Sequence, residues 1–314
     1  MFLKYLARRL LYVIPMLFIT TLIVFSFILL IPGDPVLALL GENATPEKIA
    51  QVRRDLGLDQ PIITQYFDWL KNALQGDLGR SIFTGQYVHD AVFGRLAVTF
   101  QLVFVAMIIS VVGGMFFAIT SIYFPNSWMD YVARFFGTMG SAIPNFWLAM
   151  LLVLFFSLKL GWVPATGFTS INDNPIDFFK GILLPAISLG AVGTAQITRH
   201  LRSSLMEVMS ADYVRTAYSK GVKRWRAIFN HGLQNAMLPV VTTIGILFGN
   251  LLGATVVIET VFAIPGMGQL AVNSILQRDF TMLQGVVLVM IVMVIIINFI
   301  TDIMYAILDP RIEY

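Results

Sequence analysis

Hydrophobic and polar positions fall into long blocks along this chain. Six stretches, at 10–31, 98–123, 142–160, 182–197, 237–257 and 282–307, are nearly free of Asp, Glu, Lys and Arg. Most approach or exceed about 20 residues, the length a helix needs to cross a bilayer. The pattern predicts an all-α integral membrane protein with six transmembrane helices. The stretch at 32–97 breaks the pattern with mixed charge. Inside it, ATPEKIAQVRRDLGL carries apolar residues at helical spacing from Thr45 and Glu47 up to Gly57. A second amphipathic helix is expected from Pro61 to Leu74. The organisation is therefore 1–31 for the N-terminal end and first span, 32–97 for a small helical subdomain, and 98–314 for a five-helix core. A polar loop at about 199–236 interrupts that core.

Composition sharpens the class. Hydrophobic residues make up 57% of the chain and charged residues 12%, against about 25% charged in soluble domains. There is no cysteine, which excludes disulfides and thiolate metal sites. Lys4, Arg8 and Arg9 before an apolar run resemble a signal peptide. The run at 10–31 is too long for one, and no small-residue cleavage site follows, so a retained first span is expected.

Charge also orients the chain. Lys4, Arg8 and Arg9 place the N-terminus inside by the positive-inside rule. Six spans return the C-terminus to the same side. The loop between the fourth and fifth spans agrees independently: Arg199, Arg202, Arg215, Lys220, Lys223, Arg224 and Arg226 outweigh Glu207 and Asp212. The 32–97 segment falls outside, and its basic residues do not conflict, because long loops translocate largely regardless of charge.

The stretch from Asp212 to Pro239, DYVRTAYSKGVKRWRAIFNHGLQNAMLP, is the most ordered loop sequence. Ser210 and Asp212 offer a helix cap, and Gly221 a left-handed stop. Tyr213, Thr216, Ala217 and Lys220 lie on adjoining faces of the short helix between them. The residues alone allow two readings: a rigid element that seats in a groove of another protein, or a basic loop that fixes topology and touches anionic lipid.

DYVRTAYSKG…NAMLP resembles the EAA loop of ABC-importer permeases, in the peptide/nickel branch. Arg215, Thr216 and Ala217 stand at the Glu-Ala-Ala positions and Gly221 at the glycine; the glutamate is absent, and Leu238-Pro239 falls later than the general pattern. Other segments fit the same branch: Pro32-Gly33-Asp34-Pro35, Leu56-Gly57-Leu58-Asp59-Gln60-Pro61, Gly76-Asp77-Leu78-Gly79, Glu259-Thr260-Val261-Phe262, Pro265-Gly266-Met267-Gly268, Arg278-Asp279 and Asp309-Pro310-Arg311. Together they cover essentially the whole chain. The resemblance implies a type I importer-like fold in the bacterial cytoplasmic membrane. It implies a second, homologous permease subunit, two ABC ATPases that bind ATP and Mg, and an extracytoplasmic solute-binding protein. It assigns Asp212, Tyr213, Arg215, Thr216, Ala217, Lys220 and Gly221 to coupling with the ATPase. It assigns Glu259, Pro265, Gly266 and Gly268 to an outer contact with the binding protein, or to a gate.

The remaining candidates are weighed on the residues. No Gly-x-x-x-x-Gly-Lys-Ser/Thr string occurs, so nothing in this chain cradles nucleotide phosphates and no cofactor of its own is expected. Proton coupling is disfavoured because the span centres lack Asp, Glu and His; Glu259 and Asp302 lie near span ends. Gly245, Gly249 and Gly253 recur every four residues, a helix-packing face first and a pathway or subunit seam second. Asn250, Thr242, Thr243 and Gln101 offer hydrogen bonds to a neighbouring helix or to a solute. His89, His200 and His231 are scattered, so no metal site is expected. No nucleophile, base and metal ligands cluster, so no catalytic residue is expected either. Asn43-Ala44-Thr45 matches a glycosylation sequon by chance length. The expected function is a permease subunit of an ATP-driven importer of di- or oligopeptides. The alternatives are nickel chelates or glutathione as solute, or a membrane scaffold that docks a cytoplasmic partner without transport. Nucleic acid is not an expected partner.

Overall fold

The computed structural model describes residues 2–30, 35–40, 44–55 and 57–308. Residues 32–34, Asn43, Leu56 and 309–311, which carry parts of the motifs above, lie outside the described residues. Among those described, the secondary structure is helical, apart from turns and an isolated bridge between Arg80 and Tyr87. The helices are α1 (Phe2–Leu30), α2 (Pro35–Leu40), α3 (Pro46–Asp55), α4 (Ile62–Leu74), α5 (Val88–Tyr123), α6 (Trp128–Ala142), α7 (Asn145–Leu152), α8 (Pro175–Met209), α9 (Asp212–Ser219), α10 (Arg224–Arg226), α11 (Leu233–Ala236), α12 (Leu238–Phe262), α13 (Met267–Gln277) and α14 (Phe280–Leu308). The chain divides into two compact units. One holds Leu3–Val98 and Pro265–Ile295; the other holds Thr99–Ile264 and Ile296–Tyr314.

In the first unit, α4 lies against α1 through aromatic contacts. Tyr66 is buried; its hydroxyl is 2.9 Å from Thr21 Oγ1, and its ring meets Phe25 edge-on at 5.5 Å. A second cluster gathers Val88, Ala91 and Val92 of α5 with Met267 and Ala271 of α13 and Met282 and Val286 of α14. A polar bond pins this cluster: buried Ser81 donates to Asp279, whose other oxygen accepts from the backbone N–H of Met282 at 3.1 Å and so caps α14. The helix α13 was not foreseen. Its start at Gly266 follows the Pro265-Gly266 break, and it ends at Arg278, held left-handed at φ +57°.

In the second unit, α8 is the central helix, packed against α6, α7 and α12. Its glycines permit close crossings. A Cβ at Gly190 would lie 2.7 Å from the carbonyl oxygen of Ala106 on α5. One at Gly193 would lie 2.4 Å from Ser110 Oγ and 2.6 Å from Leu247. Ser110 Oγ bridges the joint, 2.8 Å from the Ala106 carbonyl and 3.0 Å from that of Gly190. From α6, Gly140 approaches Ala191 and Ala195 in the same way. This small-residue seam is the packing mode expected where lipid removes the hydrophobic drive between helices.

The spans match the sequence pattern in number and differ in outline. Five helices are long and apolar enough to cross a membrane, and the bent pair α6 plus 145–159 makes up to six. The expected third span at 142–160 is the second arm of that pair, which bends by 111°. The cause is Pro144: it confines Ile143 to extended backbone (φ −90°, ψ 124°) and ends α6. After α7 the helix continues in π form over Val153–Lys159. The fourth span, expected at 182–197, belongs to a 35-residue helix, capped at Asn174 and running to Met209. Hydropathy registers only its apolar part, because Arg199, His200 and Arg202 continue the helix in polar residues.

Candidate coupling surface and charged cleft

The helix α9 is amphipathic in the required sense. Val214 and Ala217 are buried, while Asp212, Tyr213, Arg215, Thr216 and Lys220 are exposed. Ala217 was expected on the docking face; it is turned into the protein instead, where its small side chain lets the helix sit close. Gly221 ends the helix at φ +80°. Its N–H reaches the Tyr218 carbonyl at 2.9 Å, and that of Val222 reaches Ala217 at 3.1 Å, the paired bonds of a Schellman stop. The start differs from expectation. Ser210 closes α8, donating to the Glu207 carbonyl at 2.7 Å. The N-cap of α9 is Ala211, with no side-chain cap.

Behind α9 the segment 224–236 holds it in place. Asn235 donates to the Tyr213 hydroxyl at 2.9 Å. Ala227, Ile228 and Gly232 are buried in a short π-helical stretch, Ala227–Gly232. Arg224 donates to the carbonyl of Ile122, in the last turn of α5, at 2.8 Å. That carbonyl is one of the groups a helix end leaves without an intrahelical donor.

The same region contains a charge cluster that sequence reasoning did not single out. Asp130, in the first turn of α6, is 1% exposed. Arg134 clasps it with two donors, one of them Nε at 3.0 Å. The Asp130 carboxylate also accepts from Ser121 and from the backbone N–H of Asn126 at 3.1 Å. Arg202 of α8 donates to Ser121 Oγ at 2.7 Å and lies 3.4 Å from Asp130. These residues line an open cleft of about 390 Å³ with Ile122, Met206, Met209 and Arg224. Asp130 and Arg134 are four residues apart, a spacing visible in sequence. Arg202, 72 positions away, is joined to them only by the fold.

The other candidates separate. Glu259 was expected as an interfacial or outer-loop charge. It is fully buried and accepts from Thr99 at 2.6 Å, so it presents no carboxylate to a soluble partner. Gly266 and Gly268 are buried and Pro265 is half-buried, against the exposed Pro-Gly loop expected there. The α12 glycines do not share one packing face. Gly245 is pressed against Thr301 of α14, where a Cβ would come within 2.1 Å; Gly253 is exposed, with nothing within 4 Å of such a Cβ. Gly249 is half-buried and Asn250 exposed. Thr243 turns inward to the Pro239 carbonyl at 3.0 Å, and Gln101 Oε1 is buried without a hydrogen-bond partner. Among the described residues, no three His, Asp or Glu side chains gather as a metal would require.

These apolar helices, with one short amphipathic helix set on a basic loop between two of them, make an all-α membrane protein. Two solved ABC transporters share the fold. An amino acid ABC transporter, in a crystal structure with histidines, aligns over 69% of this chain and 93% of its own at a TM-score of 0.54; an inward-facing methionine ABC transporter, MetNI, aligns over 70% and 95% at 0.55. Both are 17% identical to this chain.

The chain belongs to the family described as the binding-protein-dependent transport system inner membrane component, which it matches over residues 110–314; the N-terminal model of the same system matches residues 2–103. It is thus a multi-pass inner-membrane permease of the ABC importer class. A putative peptide transport system permease protein of Brucella suis is 38% identical over 307 residues, 98% of each chain. The dipeptide transport system permease protein DppB of Alkalihalophilus pseudofirmus is 38% identical, covering 99% of this chain and 100% of its own. The glutathione transport system permease protein GsiC of Escherichia coli K12 is 39% identical over 99% of each.

Proposed function

We propose that this chain is the permease subunit of an importer that carries short peptides across the inner membrane, driven by ATP hydrolysis in partner subunits. A second homologous permease completes the pathway, two ABC ATPases dock on the basic-loop side, and an extracytoplasmic binding protein delivers the solute. The termini and the α9 loop lie in the cytoplasm. The observation that carries this reading is α9 itself. Its inner face is packed, its ends are fixed by Gly221 and by the Asn235–Tyr213 bond, and its outer face offers Tyr213, Arg215, Thr216 and Lys220. A short helix so held transmits a push as a rigid body. The relatives named for peptide, dipeptide and glutathione transport support the solute class.

The pathway side is assigned to the open face of α12. Thr242, Ile246, Asn250, Gly253, Val257 and Thr260 are all exposed and recur at three- and four-residue spacing, which puts them in one stripe. Polar groups in membrane spans are costly against lipid and mark bundle interiors or water-filled paths. Asn250 in that stripe therefore favours a solute path or the second permease over lipid.

The test is purification of the chain from native membranes, followed by reconstitution in vesicles. Recovery of a second permease and two ATPases, with ATP-dependent uptake of labelled dipeptide, is the expected result. Uptake of glutathione or a nickel chelate in its place would reassign the solute. Recovery without any ATPase, and no uptake, would replace transport by the scaffold reading.

A further inference from the structure

The Asp130 cluster joins three helices to the coupling segment, and nothing in the reading above uses it. Ser121 stands in the last turn of α5, Asp130 and Arg134 in α6, and Arg202 in α8. At the next residue along α5, the Ile122 carbonyl holds Arg224 of the loop that carries α9. The coupling segment therefore has a direct polar link to α5, and Asp130 ties that end of α5 to α6 and α8. The links are charged hydrogen bonds beside an open cleft, not apolar packing. Such bonds are roughly twice as strong as neutral ones and directional, so they transmit displacement without filling the space between the helices.

We propose that Asp130 is a positioning residue for energy coupling. It makes the ends of α5, α6 and α8 one rigid body with the coupling segment, so that a push on α9 moves the helices rather than the loop. Arg202 supplies the tie to α8, and Arg224 the tie to the loop. This inference rests on the importer reading, through the assumption that α9 receives the push. Arg134, within the same helix as Asp130, orients the carboxylate without joining a further element.

Two measurements on the intact complex test it. The first is solute taken up per ATP hydrolysed in reconstituted vesicles. Asp130→Asn keeps the shape and removes the charge. The expected result is an assembled complex that hydrolyses ATP while uptake per ATP falls at least about fivefold, the lower range of coupling between linked sites. Arg224→Gln lowers the same ratio, and Arg224→Lys, which still donates to a carbonyl, restores part of it. A merely structural role lowers uptake and hydrolysis together and leaves the ratio unchanged, which overturns the proposal.

The second measurement needs no solute and so separates this inference from the importer reading. The chain has no cysteine, and Phe135 of α6 and Asn230 of the coupling segment are exposed, so Phe135→Cys with Asn230→Cys admits a pair of spin labels. The inter-label distance should stay fixed between ATP-free and ATP-trapped complex in the otherwise native chain. With Asp130→Asn added it should shift or broaden. A distance that changes in the native background, or one that stays fixed and narrow with Asp130→Asn, overturns the proposal even where uptake is normal.

Discussion

The two halves of α8 are built on opposite principles. Its earlier part meets α5 through Gly190 and Gly193, and Gly140 of α6 through Ala191 and Ala195, with no room for an added methyl group. Its second half carries Arg202 into a charged cluster beside an open cleft. The first joint is made of shape and the second of charge. Closely packed interiors resist small displacements because every contact is already at its optimum. A cluster of charged bonds keeps direction and tolerates neighbouring space. The same helix thus combines a close-packed seam with a directional charged tie at the end where coupling takes place.

The comparison breaks first at the seam. Gly193→Leu places a branched side chain where a Cβ already meets Ser110 and Leu247 within 2.6 Å. Overpacking of this kind costs about 1–3 kcal/mol or more, and here the backbones must separate. The expected result is loss of the folded chain from membranes, read as yield and as a monodisperse peak in detergent. A normal yield would mean that the seam is looser than its geometry. At the cluster, Asp130→Ala leaves Arg134 and Arg202 without their carboxylate. Breaking a fully buried pair costs about 3–5 kcal/mol, but both arginines are partly exposed, so about 1–2 kcal/mol is expected. Thermal unfolding in detergent should show a lowered midpoint for Asp130→Ala with folding retained. Loss of the folded chain with Asp130→Ala, as for Gly193→Leu, would erase the distinction between the two joints.

The sequence foretold the parts of this fold that are local. Apolar blocks announce spans, and Gly221 announces the end of α9, because only the left-handed conformation lets the Schellman bonds form there. The break before α7 is local too, at Pro144, and was missed because a hydropathy window slides over it and returns one straight span. The rest of what escaped is non-local. Glu259 and Asp130 are both carboxylates beside apolar helices in the sequence. Only the fold sets one against the neutral hydroxyl of Thr99 and the other against Arg202. The glycine seam was sought on α12, where the four-residue spacing is regular. It lies on α8 instead, where Gly190 and Gly193 are spaced by three and face Ala106 and Ser110. A small residue marks a close approach only when another helix is there to make it, and that is a property of packing.

The smallest expected effect sharpens the comparison at the coupling helix. Gly221 is exposed, and a Cβ on it would meet nothing within 4 Å. Its φ of +80° is nevertheless strained for any L side chain. Gly221→Ala therefore changes backbone preference with no change in contacts, at a cost of about 1 kcal/mol. The global unfolding midpoint should barely move, because α9 is a short peripheral helix held by local bonds. The effect should appear instead as faster amide hydrogen exchange from Thr216 to Val222, where the Schellman bonds form, with the α8 seam unchanged. Faster exchange in α8 as well would mean that the seam and the coupling helix open together, and the two joints would be one. Unchanged exchange in both would mean that the stop is held by contacts beyond Gly221, in the 224–236 segment that backs α9.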